Sequence, residues 1–155
     1  MEIERKYLIR EIPKNLEEYP FHTIEQGYLS TAPVVRVRRQ DEEYYLTYKG
    51  SGLMAREEAN LPLTEESYQH LIKKADGNII SKKRYLIPIR DSALTIELDV
   101  FAPPLAPLIM AEVEFPTLEE AENFVAPSWF GEEVTNNRRY HNSNMIFLNI
   151  SSWEY

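Results

Sequence analysis

Met1-Glu2-Ile3-Glu4-Arg5-Lys6 opens the chain, and its alternation puts Glu2, Glu4 and Lys6 on one face of a strand while Ile3 and Tyr7 point the other way. A strand with one face in water accepts any mixture of polar residues. Here the alternation returns along the later segments with charges sorted by element. Val35-Arg36-Val37-Arg38 sets two guanidiniums opposite two valines, and Tyr45, Thr47 and Lys49 share a face opposite Leu46 and Tyr48. Arg56 and Glu58 continue the period. Lys82 and Arg84 stand opposite Tyr85 and Ile87, Glu97 and Asp99 opposite Ile96, Leu98 and Val100, and Glu112 and Glu114 opposite Ala111, Val113 and Phe115. Solvated faces interleave the two signs. Sorted signs favour strands closed into a barrel, with the polar stripes inward around a ligand and the apolar stripes outward beneath helices.

Strands are expected near 1–11, 21–31, 34–40, 43–49, 54–62, 79–89, 94–101 and 108–115, with a short helical turn from Pro13 to Tyr19. Thr64 caps a helix whose apolar stripe is Tyr68, Leu71 and Ile72 and which Gly77 ends. Thr117 caps a second helix over 117–126, with Leu118, Ala121, Phe124 and Val125 facing inward. After Gly131 the pattern predicts a short strand and a helical turn from Asn142 to Leu148.

The 155 residues, 43% hydrophobic, suffice for a single domain spanning 1–155, and neither linker nor repeat divides them. A net charge of −8 argues against a surface built for a nucleic-acid polymer, although a local cationic pocket can still hold an anion. No cysteine is present, so disulfides and thiolate metal sites are excluded. With a charged start and no long apolar run, neither secretion nor membrane insertion is expected, and a cytoplasmic protein is.

Glu2-Ile-Glu-Arg-Lys6, Gln26-Gly-Tyr28-Leu29, Val35-Arg-Val-Arg38, Leu46-Thr-Tyr-Lys49-Gly, Lys82-Lys-Arg84-Tyr85, Ile96-Glu-Leu-Asp99 and Ala111-Glu-Val-Glu114-Phe115 together resemble the CYTH domain, the triphosphate tunnel metalloenzymes. The seven motifs run in order over almost the whole chain. The resemblance implies an α+β fold, an eight-stranded antiparallel β-barrel with a charged interior and helices outside. It also implies a short, bacterial-type inorganic triphosphatase, which hydrolyses the terminal phosphoanhydride of tripolyphosphate. A class IV adenylyl cyclase, a thiamine or nucleoside triphosphatase, and a non-catalytic polyphosphate- or nucleotide-binding module stay open beside it.

On that resemblance Lys6, Arg36, Arg38, Lys49, Arg56, Lys82 and Arg84 bind phosphates, while Glu2, Glu4, Glu58, Glu97, Asp99, Glu112 and Glu114 hold metal. Glu2, Glu4, Lys6 and Tyr28 are the catalytic candidates. Arginine's planar fork fits phosphoryl oxygens, and carboxylates without His or Cys suit Mg²⁺ or Mn²⁺ rather than zinc. The implied partner is a small triphosphate, with no membrane; the oligomeric state is open, a homodimer included. Two positions depart from the family pattern: Asn60 stands where an acid continues Arg56-x-Glu58, and Pro107 where glycine is expected. Arg5, Arg10, Glu42 and Glu43 read as solvated, His22, His70 and His141 as surface or capping residues, and Trp129 and Trp153 as packing residues. Arg138-Arg139-Tyr140 reads equally as tunnel mouth or as an anchor for the tail.

Overall fold

Charged and apolar stripes have been folded into one antiparallel sheet that meets itself. The computed structural model describes residues 1–52 and 54–149, so Trp153 lies outside the described residues. The strands are β1 (Glu2–Ile9), β2 (Phe21–Thr31), β3 (Val34–Gln40), β4 (Glu43–Lys49), β5 (Ala55–Arg56), β6 (Glu58–Pro62), β7 (Asp76–Pro88), β8 (Thr95–Phe101), β9 (Ile109–Glu114) and β10 (Phe130–Glu133). Their order is β10-β1-β9-β8-β7-β2-β3-β4-β6, and β5 pairs with β1. Closure comes from the segment expected as one strand over 54–62. It breaks at Glu57: its first part pairs Ala55 and Arg56 with Ile3 and Glu2, and its second part pairs Glu58 with Lys49. Counting β5 and β6 as one broken strand gives the eight of the barrel, and β10 adds a ninth.

β10 takes over the far half of β1, pairing Tyr7 with Glu133 and Ile9 with Phe130. Between the two partners the edge of β1 stays hydrogen-bonded. Glu4 N–H donates to Met54 O (3.1 Å), Lys6 N–H to Thr135 Oγ1 (3.0 Å), and Val134 N–H to Lys6 O (2.8 Å). Hydrogen bonds that continue along an edge are what closing a sheet calls for. Arg5, expected in solvent, instead ties these pieces together, because its Nε donates to Glu133 Oε2 (2.8 Å) and its Nη1 to Ala121 O (2.7 Å).

Outward side chains carry the helices. Ile3, Tyr7, Leu98, Val113 and Phe115 form a core with Ala121 and Phe130 beneath α2 (Leu118–Asn123), and Trp129 stacks edge-on against Phe130 at 4.7 Å. α1 (Glu65–Ile72) buries Tyr68 and Ile72 over Val37, and Thr64 caps it by accepting from Ser67 N–H (3.0 Å). Both helices are shorter than their patterns. α2 stops at Asn123, where Phe124 leaves the helix to pack on Phe115 (5.2 Å) and Tyr7 (6.2 Å); Val125, read as inward, is 86% exposed, and Leu118 is 46% exposed. α1 ends at Ile72, and Gly77 lies not at its end but inside β7.

Inward side chains change character along the barrel. On five strands the inward row passes from charge to hydrocarbon: Lys6 to Leu8, Arg36 to Val34, Lys82 to Ile80, Asp99 to Phe101, Glu112 to Met110. These apolar residues, with Tyr28, Leu105 and Val134, form one cluster that fills an end of the barrel and takes in Met145 and Ile146 from the tail, at the end of α3 (Asn142–Met145). The tail is pinned by Asn78 N–H donating to Ile146 O (2.7 Å). Gly77, at φ 64°, lets it approach, since a Cβ there would stand 2.7 Å from Ile146 O.

Candidate active site

Strand order sorts the charges into two arcs. Going round the barrel from the broken strand β5–β6 to β1, β9 and β8, the elements supply Glu58, then Glu2 and Glu4, then Glu112 and Glu114, then Glu97 and Asp99. β7, β2, β3 and β4 follow and supply Lys82 and Arg84, Gln26 and Tyr28, Arg36 and Arg38, and Lys49. Lys6 lies within the acidic arc, and Arg56 stands on β5 at the closure. A cavity of about 210 Å³ separates the arcs. Thirteen of the fifteen expected site residues line it: Glu2, Glu4, Lys6, Tyr28, Arg36, Arg38, Lys49, Arg56, Glu58, Arg84, Glu97, Glu112 and Glu114.

Lys82 and Asp99 are the two that do not. Their side chains are 0% and 1% exposed and meet at 2.7 Å, buried inside the barrel beside the cavity lining, with the Lys82 ammonium 5.3 Å from the centre of the Phe101 ring. Asp99 spends its remaining capacity on Arg84, accepting from Nε (2.8 Å) and Nη2 (2.9 Å). That fork holds the guanidinium rigidly, while Nη1 reaches Glu97 (2.8 Å) and Nη2 reaches Glu112 (3.4 Å). Asp99 thus orients a cavity cation rather than facing the cavity. Burial draws the Lys82 pKa down to about 7 despite Asp99.

Carboxylates of the acidic arc divide into paired and crowded groups. Glu112 lies 3.7 Å from Lys6 and 3.4 Å from Arg84; burial works against its charge, but Lys6 and Arg84 outweigh it and hold it well below the usual carboxylate range. Burial likewise opposes the charge on Lys6, and Glu112 and Glu4 overcome it. Burial and the Glu112 carboxylate push Glu4 up, and burial with neighbouring carboxylates does the same to Glu114. Burial also lifts Glu97 against the pull of Arg84. Glu2 accepts from Lys49 Nζ (2.9 Å), yet burial and a hydrogen bond with Glu58 raise it. For Glu58 burial acts upward, and the bond to Glu2, Lys49 and Asn60 bring it down to about 2. Glu2 and Glu58 therefore titrate as one linked pair beside the Lys49 ammonium.

Two guanidiniums of the basic arc differ from Arg84 in lacking a paired carboxylate. Among the described residues neither Arg36 nor Arg38 has a carboxylate within ion-pair distance. Arg38 Nε donates to the neutral Gln26 Oε1 (2.8 Å), and burial, then Arg36 and Arg84, lower its pKa to about 10. Arg36 gives one Nη2 bond to Thr47 (3.2 Å), and its buried Nε has no acceptor. Buried, mutually repelling, half-satisfied guanidiniums are costly unless an anion completes them.

Several lining residues were missed by the charge pattern. Gln40 and Tyr45 line the cavity, with Tyr45 Oη donating to Gln40 (3.0 Å), and Asn142 and Ser143 reach it from α3. Gln40 and Tyr45 share the inward parity of Arg38 and Lys49, which could have found them. The tail has no periodicity to read. His141, expected at the surface or in a capping role, stands at the N-cap position of α3 without a side-chain cap bond; it is 8% exposed and bonds through Nε2 to Thr135 O (2.9 Å).

Oxygen is the sole donor type in the acidic arc, which fits a hard divalent cation, and the crowding that raises Glu4, Glu97 and Glu114 is what such a cation relieves. Among the described residues no three side chains are arranged as a ready metal cluster, because Glu2 is turned to Lys49 and Glu112 to Lys6 and Arg84. Among them, too, no helix is long and apolar enough to cross a membrane.

The CYTH domain family matches residues 1–145. Over 145 residues the chain is 39% identical to an inorganic triphosphatase of Nitrosomonas europaea, covering 91% of this chain and 93% of that one. An inorganic triphosphatase of Acetivibrio thermocellus is 34% identical over 94% of this chain and 92% of its own. A crystal structure of an inorganic triphosphatase superposes with a TM-score of 0.71 at 35% identity, covering 96% of this chain and 95% of that one.

Proposed function

The chain belongs to the CYTH domain family, and from that premise we infer that it is an inorganic triphosphatase, a phosphohydrolase that splits tripolyphosphate into pyrophosphate and orthophosphate. The observation that carries this reading is a basic arc in which Arg36 and Arg38 make no ion pair among the described residues, facing a crowded acidic arc across one small cavity. Arg36, Arg38, Lys49 and Arg84 hold the phosphates, with Lys6 and Arg56 reaching in from the acidic side. Water attacks the terminal phosphorus and the P–O bond of the anhydride breaks, so the departing pyrophosphate takes the electron pair. Fixed guanidiniums take up the charge that spreads over the phosphoryl oxygens and need no reorganisation as the reaction proceeds.

For the metal we propose Mg²⁺ or Mn²⁺, held by Glu2, Glu4, Glu112 and Glu114 with Glu58 and Glu97 beside them. Bound there, a divalent cation supplies charge neutralisation at the phosphates and orients or activates water. Tyr28, 2% exposed on the cavity wall, offers its hydroxyl to the phosphates.

Incubation with tripolyphosphate, ATP and thiamine triphosphate, with and without Mg²⁺ or Mn²⁺, tests the reading. Phosphate and pyrophosphate from tripolyphosphate in a metal-dependent reaction are the expected products. Cyclic AMP from ATP, or binding with no turnover, overturns it. In the same assay Arg38→Ala should lower turnover by roughly 10² to 10³, the usual loss for a preorganised donor in such a site.

A further inference from the structure

Resting on the triphosphatase reading, a second row of residues governs how the cavity holds its anion. Arg36, Thr47 and Asn60 are register partners across β3, β4 and β6. Arg36 Nη2 donates to Thr47 Oγ1 at 3.2 Å, Thr47 Oγ1 to Asn60 Oδ1 at 2.5 Å, and Asn60 Nδ2 to Glu58 Oε1 at 2.9 Å. Direction along the row is forced. Arg36 can only donate and the Glu58 carboxylate only accept, so the nitrogen of Asn60 faces Glu58, its oxygen faces Thr47, and Thr47 gives that oxygen its single proton. Reversing the amide would put a donor against Thr47 and an oxygen against a charge.

Thr47 is 0% exposed, whereas Asn60 stands at the exposed rim, so the row runs from the buried basic arc to the edge of the acidic one. We propose that Thr47 and Asn60 are positioning residues for phosphate binding, a hydrogen-bonded row that fixes the Arg36 guanidinium with its unpartnered Nε free for an anion and ties that pose to Glu58. Neither residue touches the reacting atoms. An aspartate or glutamate at position 60 could accept from Thr47 but could not donate to Glu58, so the neutral amide is the group that joins the two arcs.

Titration calorimetry with tripolyphosphate in EDTA separates this from a merely structural role. Thr47→Val should weaken metal-free binding about tenfold, as expected for a lost bond to a charged group, while Thr47→Ser should stay within about twofold of the parent. Asn60→Ala should weaken it about threefold, and the double variant should bind no worse than Thr47→Val, because one row is broken only once. In steady-state kinetics the loss should fall on KM and not on kcat. Parental affinity in Thr47→Val, or losses that add in the double variant, overturns the row. If Thr47→Val does not fold, Asn60→Ala at its exposed position decides alone, and an unchanged KM there overturns the proposal. Variants equal to an active parent leave the triphosphatase reading standing; a parent that hydrolyses nothing removes that reading itself.

Discussion

Lys82 shows how little a residue's type says about its work. Its inward parity and the family resemblance made it a phosphate ligand, and the structure instead buries it against Asp99 and Phe101, out of the cavity lining. Charges were readable from alternation alone; which of them face one another was not, because pairing depends on register between strands far apart in sequence. The consequence can be measured. In the folded protein Lys82 has a pKa of about 7 against an ordinary value of 10.5, so between those pH values the unfolded chain binds more protons than the folded one. Stability must therefore rise with pH across that window, and the lysine opposes folding most below pH 7. Its share of the slope reaches about 1.4 kcal/mol per pH unit, the linkage of one proton. Lys82→Met removes that share and leaves Asp99 in its fork with Arg84. Urea midpoints measured from pH 6.5 to 10 should climb less steeply in the variant than in the parent. Parallel curves would mean that the lysine keeps its proton throughout.

Among the elements, the break in the fifth expected strand and the docking of the tail decide the shape of the site. Alternation from Arg56 to Glu58 reads as one strand because both side chains face inward, and only the change of partner from β1 to β4 reveals Glu57 as the joint. The apolar end of the barrel stayed hidden for a related reason. Leu8, Ile80, Phe101 and Met110 share parity with the charged residues, so a two-faced reading of each strand merges them with the site. The tail closes that end through one tight approach, and Gly77 permits it. Gly77→Ala should cost about 1 to 2 kcal/mol for the left-handed backbone, and its methyl would meet Ile146 O, 2.7 Å from the position of a Cβ. Amide exchange locates the damage: Asn78, whose N–H bonds Ile146 O, should lose protection while the amides of β8 and β9 keep theirs. Unchanged protection at Asn78 would show that the tail docks independently of this glycine.

For the molecule as a whole, the net charge of −8 and the affinity for a polyanion are reconciled by segregation. An acidic protein repels tripolyphosphate at long range, but screening confines that repulsion to about a Debye length, roughly 8 Å at physiological salt, and the buried arc is screened far less. The seven motifs made the barrel and its charged interior readable because sorting by sign is visible in one dimension. That Arg36 and Arg38 stay unpaired is a property of three dimensions. It predicts that tripolyphosphate stabilises the protein without any metal, since the basic arc supplies its own half of the site. At 100 times the dissociation constant the gain is about 2.7 kcal/mol, which for a chain of this size moves the melting midpoint by roughly 5 to 10 °C. Thermal unfolding in EDTA, with sodium chloride of equal ionic strength as control, should show that rise for the parent and little of it for an Arg36→Ala, Arg38→Ala double variant. Mg²⁺ without phosphate engages the acidic arc alone, where carboxylates must first leave Lys49, Lys6 and Arg84, so its stabilisation should be the smaller of the two. A midpoint that moves with Mg²⁺ and stays fixed with tripolyphosphate would reverse the order in which the two arcs are filled, making the acidic wall the primary site and the unpaired arginines secondary.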